Sequence, residues 1–167
     1  MIDWFDNEEK IKTNGKANIR NEQYYFKPSV TWSDVSSGHF ACRLTPKGFI
    51  FAATGPSYFG ENLYQMMAYM NSSVFAHFAG VMMPTIHYTN GQVGKIPYNT
   101  AGDFYEPIQV TAKENTLLSS ADWDAFESSW NFDRVPLFDH IAEHNRNWTV
   151  EAAFNQWKQE AQDRFDQ

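Results

Sequence analysis

This sequence has one cysteine, no long apolar run and almost no nucleotide-binding glycine pattern, and each shortage excludes something. With Cys42 alone, no internal disulfide can form, which removes the disulfide-stapled secreted class. Cys42 falls in a predicted strand, where a lone thiol serves as a small core residue. No stretch reaches 18 consecutive apolar residues, so no membrane-spanning helix is expected. The opening MIDWFDNEEK is acidic, whereas a signal or transit peptide would be basic. A cytoplasmic location is the expectation.

Catalytic patterns are scarce as well. No Gly-x-Gly occurs, nor a phosphate-binding P-loop. Ile96-Pro97-Tyr98 has one proline and no preceding acid or amide, so it does not form the acid-or-amide, Pro, Pro, aromatic tetrad that holds a target amine for methyl transfer. The only D/E-x-K pattern worth weighing, through Glu8-Glu9-Lys10, lies in a polar N-terminal segment without strand character. His140-Ile141-Ala142-Glu143-His144 matches the inverted zinc-protease pattern H-x-x-E-H. Two histidines at i and i+4 of a helix suit zinc, and the Glu suits a general base. A third ligand would have to be Glu151 or Glu160, with no strand afterwards to hold a substrate. The pattern is read as a solvated helix face. This chain by itself is therefore expected to be non-catalytic, with no metal.

What is present is apolar and unevenly charged. Of 167 residues, 43% are hydrophobic and 17% aromatic, enough for a core in one domain or one domain with an appendage. The net charge of −7 is not shared evenly. Residues 1–100 carry eight Lys/Arg against seven Asp/Glu, and residues 101–167 five against thirteen. Acidity thus belongs to the last third, and a nucleic-acid-facing surface is possible only on the first hundred residues.

Turn chemistry and periodicity divide the chain. Residues 1–14 read as a short helix and linker ending at Asn14-Gly15. Gln23–Lys27 and Val30–Trp32 have strand composition, and Ser33–Gly38 is dense in turn formers. A hairpin is predicted from His39–Leu44 through the turn Thr45-Pro46-Lys47-Gly48 to Gly48–Ala53, the returning strand being apolar on both faces. Leu63, Met66, Met67, Met70, Val74 and Phe78 mark one face of a core-facing helix, capped by Asn62 or Glu61 and ended by Gly80. Thr85–Thr89 and Gln92–Tyr98 read as a second hairpin about Asn90-Gly91, with His87 on one face. Residues 99–118 look like loop. A short helix from Ala121 to Trp130 docks through Trp123, Phe126 and Trp130. Leu137–His144 forms another, and Thr149 caps a last helix with Val150, Phe154, Trp157 and Ala161 on one face. That helix is still amphipathic at Gln167, which suggests that the natural chain continues.

Hydroxyl, amide and basic side chains read base edges and phosphates. Their candidates cluster in turns: Ser33, Ser36, Ser37, His39, Arg43, Thr45 and Lys47 around the first hairpin, then Arg20, Lys27, Asn90, Gln92 and Lys95. From residue chemistry alone they are equally ordinary turn and surface residues.

Three segments together resemble a known family. They are Val30–Gly38 with Pro46–Phe51; Leu63–Ser72 with Pro84-Thr85 and Val93–Pro97; and Asp122-Trp123-Asp124-Ala125-Phe126-Glu127-Ser128-Ser129-Trp130-Asn131-Phe132. Over residues 20 to 165 the chain resembles the C-terminal part of the PglX-type adenine-specific DNA methyltransferases of the BREX phage-defence system and related type II restriction-modification enzymes. A helix ending in Asn-Ser, then Pro-Thr and a segment closing on Ile-Pro, is also the pattern of target-recognition domains. The resemblance implies a bacterial enzyme that methylates adenine N6 with S-adenosylmethionine in its intact form. It also implies a recognition segment that meets double-stranded DNA and the methyltransferase domain of the same protein, with other phage-defence proteins as further partners. The expected architecture is α+β: a curved, mostly antiparallel or mixed sheet packed by a central helix. It comprises an N-terminal helix and linker (1–19), a target-recognition-like domain (20–118) and a helical extension (119–167). The alternative is a protein-interaction module, in which the acidic, Trp-rich residues 103–167 dock the methyltransferase domain or other defence components.

Overall fold

Val30 and Trp32 are two apart in an extended segment, so they share one face, and Thr31 takes the other. In the computed structural model, which describes residues 9–13, 19–99, 105–143 and 149–165, this segment is the central strand. β1 (Ser29–Trp32) lies between β2 (Cys42–Thr45) and β3 (Ser57–Tyr58), antiparallel to both, in the order β2-β1-β3. Residues up to 101 form one compact unit and residues from 102 a second. The architecture is α+β, as the sequence implied.

The helices of the first unit are α1 (Glu9–Thr13), a 3-10 turn (Glu22–Tyr24), α2 (Leu63–Met70), α3 (Ser73–Met82) and α4 (Asn90–Val93). Val30, Trp32, Met70, Phe75, Ala79, Met83, Val93 and Ile96 make one buried cluster. Phe40 links its rings, with centroids 4.7 Å from Phe75, 5.2 Å from Tyr88 and 5.9 Å from Trp32. The Trp32 indole N–H donates to the Tyr88 carbonyl at 2.7 Å, so the buried ring has its polar edge paired. Asn71 uses its side chain as a strand would use its backbone. Its Oδ1 accepts from the Cys42 N–H at 2.9 Å, and its Nδ2 donates to the Cys42 carbonyl at 3.0 Å.

Several expectations are overturned here. The hairpin over 39–53 does not form. β2 pairs with β1, and the Gly48 N–H goes to the Phe26 carbonyl instead of closing a turn on Thr45. Gln23–Lys27 is not a strand but the 3-10 turn and its exit. The long helix is broken: Ser72 accepts from the Phe75 N–H at 3.2 Å and starts α3 afresh. The break turns the stripe, so that Phe75, Ala79 and Met83 are buried while Val74 and Phe78 are exposed. The cap at Asn62 makes no side-chain hydrogen bond, and the helix runs past Gly80 to Met82. The second hairpin is absent. Asn90-Gly91 opens α4, and His87 keeps only a single bridge, to Val35.

The second unit is helical: α5 (Tyr105–Asp124), α6 (Pro136–Glu143) and α7 (Val150–Phe165). From Tyr105 the expected loop is α5, continuous through 118 and 119 and ending at Asp124, where a helix to Trp130 was expected. Thr149 does cap α7, accepting from the Ala152 N–H at 3.2 Å. Arg164 Nε reaches Asp122 at 2.7 Å, and Arg134 pairs with Asp139. Among the described residues only Ala112, Ala125 and Ala153 are buried hydrophobics of this unit. Trp123, Phe126 and Trp130, expected to dock their segment, are exposed, as are Val150 and Phe154. No described helix is long and apolar enough to cross a membrane.

Candidate nucleic-acid interface

Opposed residues in an antiparallel pair point to the same side of the sheet. Thr31 is opposite Arg43 on one side and Ser57 on the other, and Ser29 is opposite Thr45. The face turned from the Val30–Trp32 core is therefore built of hydroxyls and one guanidinium. A cleft of about 380 Å³ opens on it, lined by these five side chains together with Lys27, Phe49 and Phe51. A second cleft of about 660 Å³ adjoins it, sharing Phe51, Gly55, Ser57 and Phe59, and adds Arg20 and Asn90. Among the described residues, no Asp or Glu lines either cleft.

Local geometry holds these groups in place. Thr31 Oγ1 donates to the Pro56 carbonyl at 2.9 Å, and Ser57 Oγ lies 3.3 Å from Thr31 Oγ1. Phe26 has φ of 63°, left-handed and uncommon for a bulky residue. Two hydrogen bonds hold it there: its N–H donates to Phe49 O at 2.9 Å, and Gly48 N–H donates to its carbonyl at 3.1 Å. Gly48 itself, at φ of 105°, accepts a conformation that a side chain would resist. This doubly bonded kink sets Lys27 at the cleft, its Nζ 5.8 Å from the Tyr24 ring centroid. An aromatic chain runs alongside. Tyr24 stacks on Phe59 at 4.7 Å, Phe59 meets Phe51 at 5.3 Å, and Phe51 meets Tyr25 at 5.2 Å.

Of the sequence candidates, Arg20, Lys27, Arg43, Thr45 and Asn90 line the two joined clefts. Lys47 sits in the turn next to Gly48, exposed but outside the lining. Ser33, Ser36, Ser37 and His39 belong to the loop between β1 and β2 and line neither cleft. Ser36 Oγ there accepts from the Gly38 N–H at 3.2 Å. Gln92 Oε1 accepts from Thr89 Oγ1 at 3.0 Å, and exposed Lys95 follows α4. Thr31, Ser57, Phe49 and Phe59 were not among the candidates. The period of two through Val30 and Trp32 marks Thr31, because its neighbours are the core residues.

Two other groups bear on chemistry. Burial pushes the Cys42 thiol up to about 12, against a smaller opposing effect of Asn71, so it is a poor nucleophile. Among the described residues no three His, Cys, Asp or Glu side chains gather as a metal would need. His144 of the H-x-x-E-H pattern lies outside them, and His140 Nε2 stands 3.3 Å from Glu160.

The chain is 39% identical over 178 aligned residues to the adenine-specific methyltransferase PglX of Lacticaseibacillus casei (strain Zhang), covering 100% of this chain and 15% of that protein. It is 36% identical over 151 residues to the adenine-specific methyltransferase BrxX of Escherichia coli O9:H4 (strain HS), covering 82% of this chain and 12% of that protein. This chain is homologous to a segment of the PglX and BrxX methyltransferases. No family model matches it. The resemblance carried by the Trp32, Met66–Met67 and Trp123–Trp130 segments is thus matched by homologues. The chain spans only 15% and 12% of the length of these PglX and BrxX relatives.

Proposed function

We propose that this chain is the DNA-recognition segment of a PglX-type adenine-specific methyltransferase, which meets duplex DNA through the outward face of its sheet. The observation that supports this reading is the lining of the two joined clefts: among the described residues, Arg20, Lys27 and Arg43 with hydroxyls and two amides, and no carboxylate. Phosphate contacts supply most of the affinity for DNA, so a cationic surface in an acidic chain is where DNA would lie. The intact enzyme methylates adenine in host DNA as part of phage defence. S-adenosylmethionine fits none of the described residues, since the antiparallel strands offer no glycine-rich strand-to-helix turn. Its site belongs to the remainder of the enzyme.

Binding of a labelled duplex by the whole chain, followed by anisotropy at rising salt, tests the reading. The logarithm of the affinity should fall linearly with that of the salt concentration. Arg43→Ala and Lys27→Ala should each shallow the slope by about 0.9. In the intact enzyme, Arg43→Ala with Lys27→Ala should lower methylation of all target sequences alike, and more so at higher salt. An affinity for duplex that is absent at low salt, or insensitive to salt, sinks it.

A second reading rests on the other unit. The exposed Trp123, Phe126 and Trp130 and the acidity of residues 101–167 favour a protein contact there, with the methyltransferase domain or another defence component. The two readings concern different units and do not compete for the same residues.

A further inference from the structure

The end of α5 is charged against its own dipole. A helix ends in unpaired carbonyls, a partial negative charge that basic side chains offset. α5 has no basic residue in its last turn and carries Asp122 and Asp124 there instead. Ser119, Asp122, Trp123 and Phe126 follow at i, i+3, i+4 and i+7, so they share one side. With Glu127 and Ser128 they line a shallow hollow of about 610 Å³. Trp123 is 60% and Phe126 52% exposed there. Trp157 of α7 backs Phe126, with ring centroids 6.3 Å apart. A guanidinium already meets this acidic rim, since Arg164 Nε lies 2.7 Å from Asp122 Oδ1. Rings beside carboxylates select among partners. Phosphate is repelled by Asp122 and Glu127. A purely apolar surface would strip water from both carboxylates and return no hydrogen bond. A guanidinium satisfies both kinds of group, because it stacks on an aromatic face and pairs with a carboxylate.

We infer that this hollow receives an arginine from a basic segment of the same methyltransferase polypeptide outside these 167 residues, its guanidinium on the Trp123 ring and paired with Glu127. This rests on the protein-contact reading of the second unit and adds the chemistry and the source of the contact. The chain matches 15% and 12% of its PglX and BrxX relatives, so most of such an enzyme lies outside it. A segment tethered in the same polypeptide acts at a high effective concentration, which lets a shallow, half-polar hollow be filled. The thirteen acids against five bases of residues 101–167 attract a basic segment in the same sense.

Two measurements test it. In the first, the whole chain is titrated with a glycine-arginine peptide and with its lysine and citrulline counterparts. The readout is the NMR signals of the Trp123 indole N–H and of the backbone amides of residues 119–128. The arginine peptide should shift these signals saturably, and the lysine peptide should bind about threefold more weakly. The citrulline peptide keeps the shape without the charge and should not bind. Glu127→Gln should weaken the arginine peptide about threefold, and Trp123→Leu about fivefold. Glu114→Gln takes the same charge from α5 outside the hollow and should leave the affinity within about twofold. In the second measurement, oxidation of Trp123 is compared between this chain and the intact enzyme. Trp123 should be protected in the intact enzyme, and Glu127→Arg should remove the protection. Citrulline peptide binding as well as the arginine peptide overturns the inference, as does a shift of the backbone amides that Trp123→Leu leaves unchanged. Arginine binding by the chain with Trp123 oxidised equally in both proteins overturns it too, because the arginine then comes from elsewhere. Protection that Glu127→Arg does not reduce overturns the inference and leaves the protein-contact reading standing. No peptide binding together with equal oxidation overturns both.

Discussion

The two units bury different things. The first places Trp32, Met70, Phe75 and Met83 in one cluster around a sheet, whereas the second buries three alanines among its described hydrophobics and leaves Trp123, Phe126, Trp130, Phe138 and Phe154 exposed. The charge follows the same division: residues 1–100 are nearly neutral, and residues 101–167 hold thirteen acids against five bases. Apolar burial is the main favourable term in folding, so the first unit has a thermodynamic reason to fold as it stands. The second has large apolar side chains without cover, the pattern of a surface that another protein surface completes. The largest expected effect tests this directly. Phe75 is 1% exposed, and Phe75→Ala should cost about 3–5 kcal/mol in urea unfolding followed by circular dichroism. A loss under 1 kcal/mol would mean that the first unit's core does not hold the chain together.

A smaller effect is expected at the edge strand. Asn71→Ala removes both side-chain hydrogen bonds to the Cys42 backbone and should cost about 1–2 kcal/mol. Cys42 reports on the same edge. Its thiol is raised by burial from 9.0 to about 12, so it should resist alkylation at pH 8 in the folded chain and react readily in urea. Because the folded value is the higher one, its contribution to stability is present below pH 9.0 and is lost as the pH rises through about 12. In Asn71→Ala the alkylation rate at pH 8 should rise. An unchanged rate would show that the amide does not hold β2 closed.

How much of this was legible beforehand depended on whether the signal was local. The strand Val30–Trp32 and the turn after it were readable, because period-two burial and turn residues are properties of a few neighbours. The Leu63–Met70 stripe and the Thr149 cap were readable for the same reason. The failures came where a distant partner decided. Pro46 and Gly48 suggest a hairpin, yet Gly48 gives its N–H to Phe26, 22 residues earlier in the chain. Asn90-Gly91 is a hairpin dipeptide only if a strand waits on either side, and Thr89 with Gln92 instead opens a helical turn. α5 escaped because its apolar residues are sparse: Val110 and Leu117 share a face, but Ile108 stands opposite them, so no continuous apolar stripe marks the helix. Pro107 sits in its first turn, where a missing N–H costs nothing. At the candidate interface, Arg43 and Thr45 were named from their turn, but the cleft needed the β1–β2 register and the segment around Phe49 and Phe59 to appear.

Two caps of like chemistry offer a finer comparison. Ser72 caps α3 in the first unit and Thr149 caps α7 in the second, each accepting at 3.2 Å from the N–H three residues on. Ser72→Ala and Thr149→Ala remove the same bond, worth about 1 kcal/mol. Ser72→Ala should lower global stability by that amount, because α3 carries Phe75 and Ala79 into the core. Thr149→Ala should instead raise amide exchange only along the first turn of α7, since Ala153 is the one buried side chain there. Equal global losses would show that the second unit is as cooperative as the first.

The smallest effect is expected at the most exposed ring. Trp130 is 94% exposed, so Trp130→Ser should change the stability of this chain by less than about 0.5 kcal/mol. Salt-dependent DNA binding should not change either, since Trp130 lines neither cationic cleft. In a longer protein of the PglX type, the same substitution should act differently if the second unit is a contact surface. A buried Trp at an interface centre is worth about 2 kcal/mol or more when truncated. The measurement is oxidative footprinting of Trp130 in the intact enzyme against this chain alone. Protection in the intact protein, with a lowered melting temperature for Trp130→Ser there and none here, would locate the missing cover for the second unit. Equal oxidation in both would leave its exposed aromatics a property of the folded state itself, and the contrast between the two units would then be one of intrinsic stability alone.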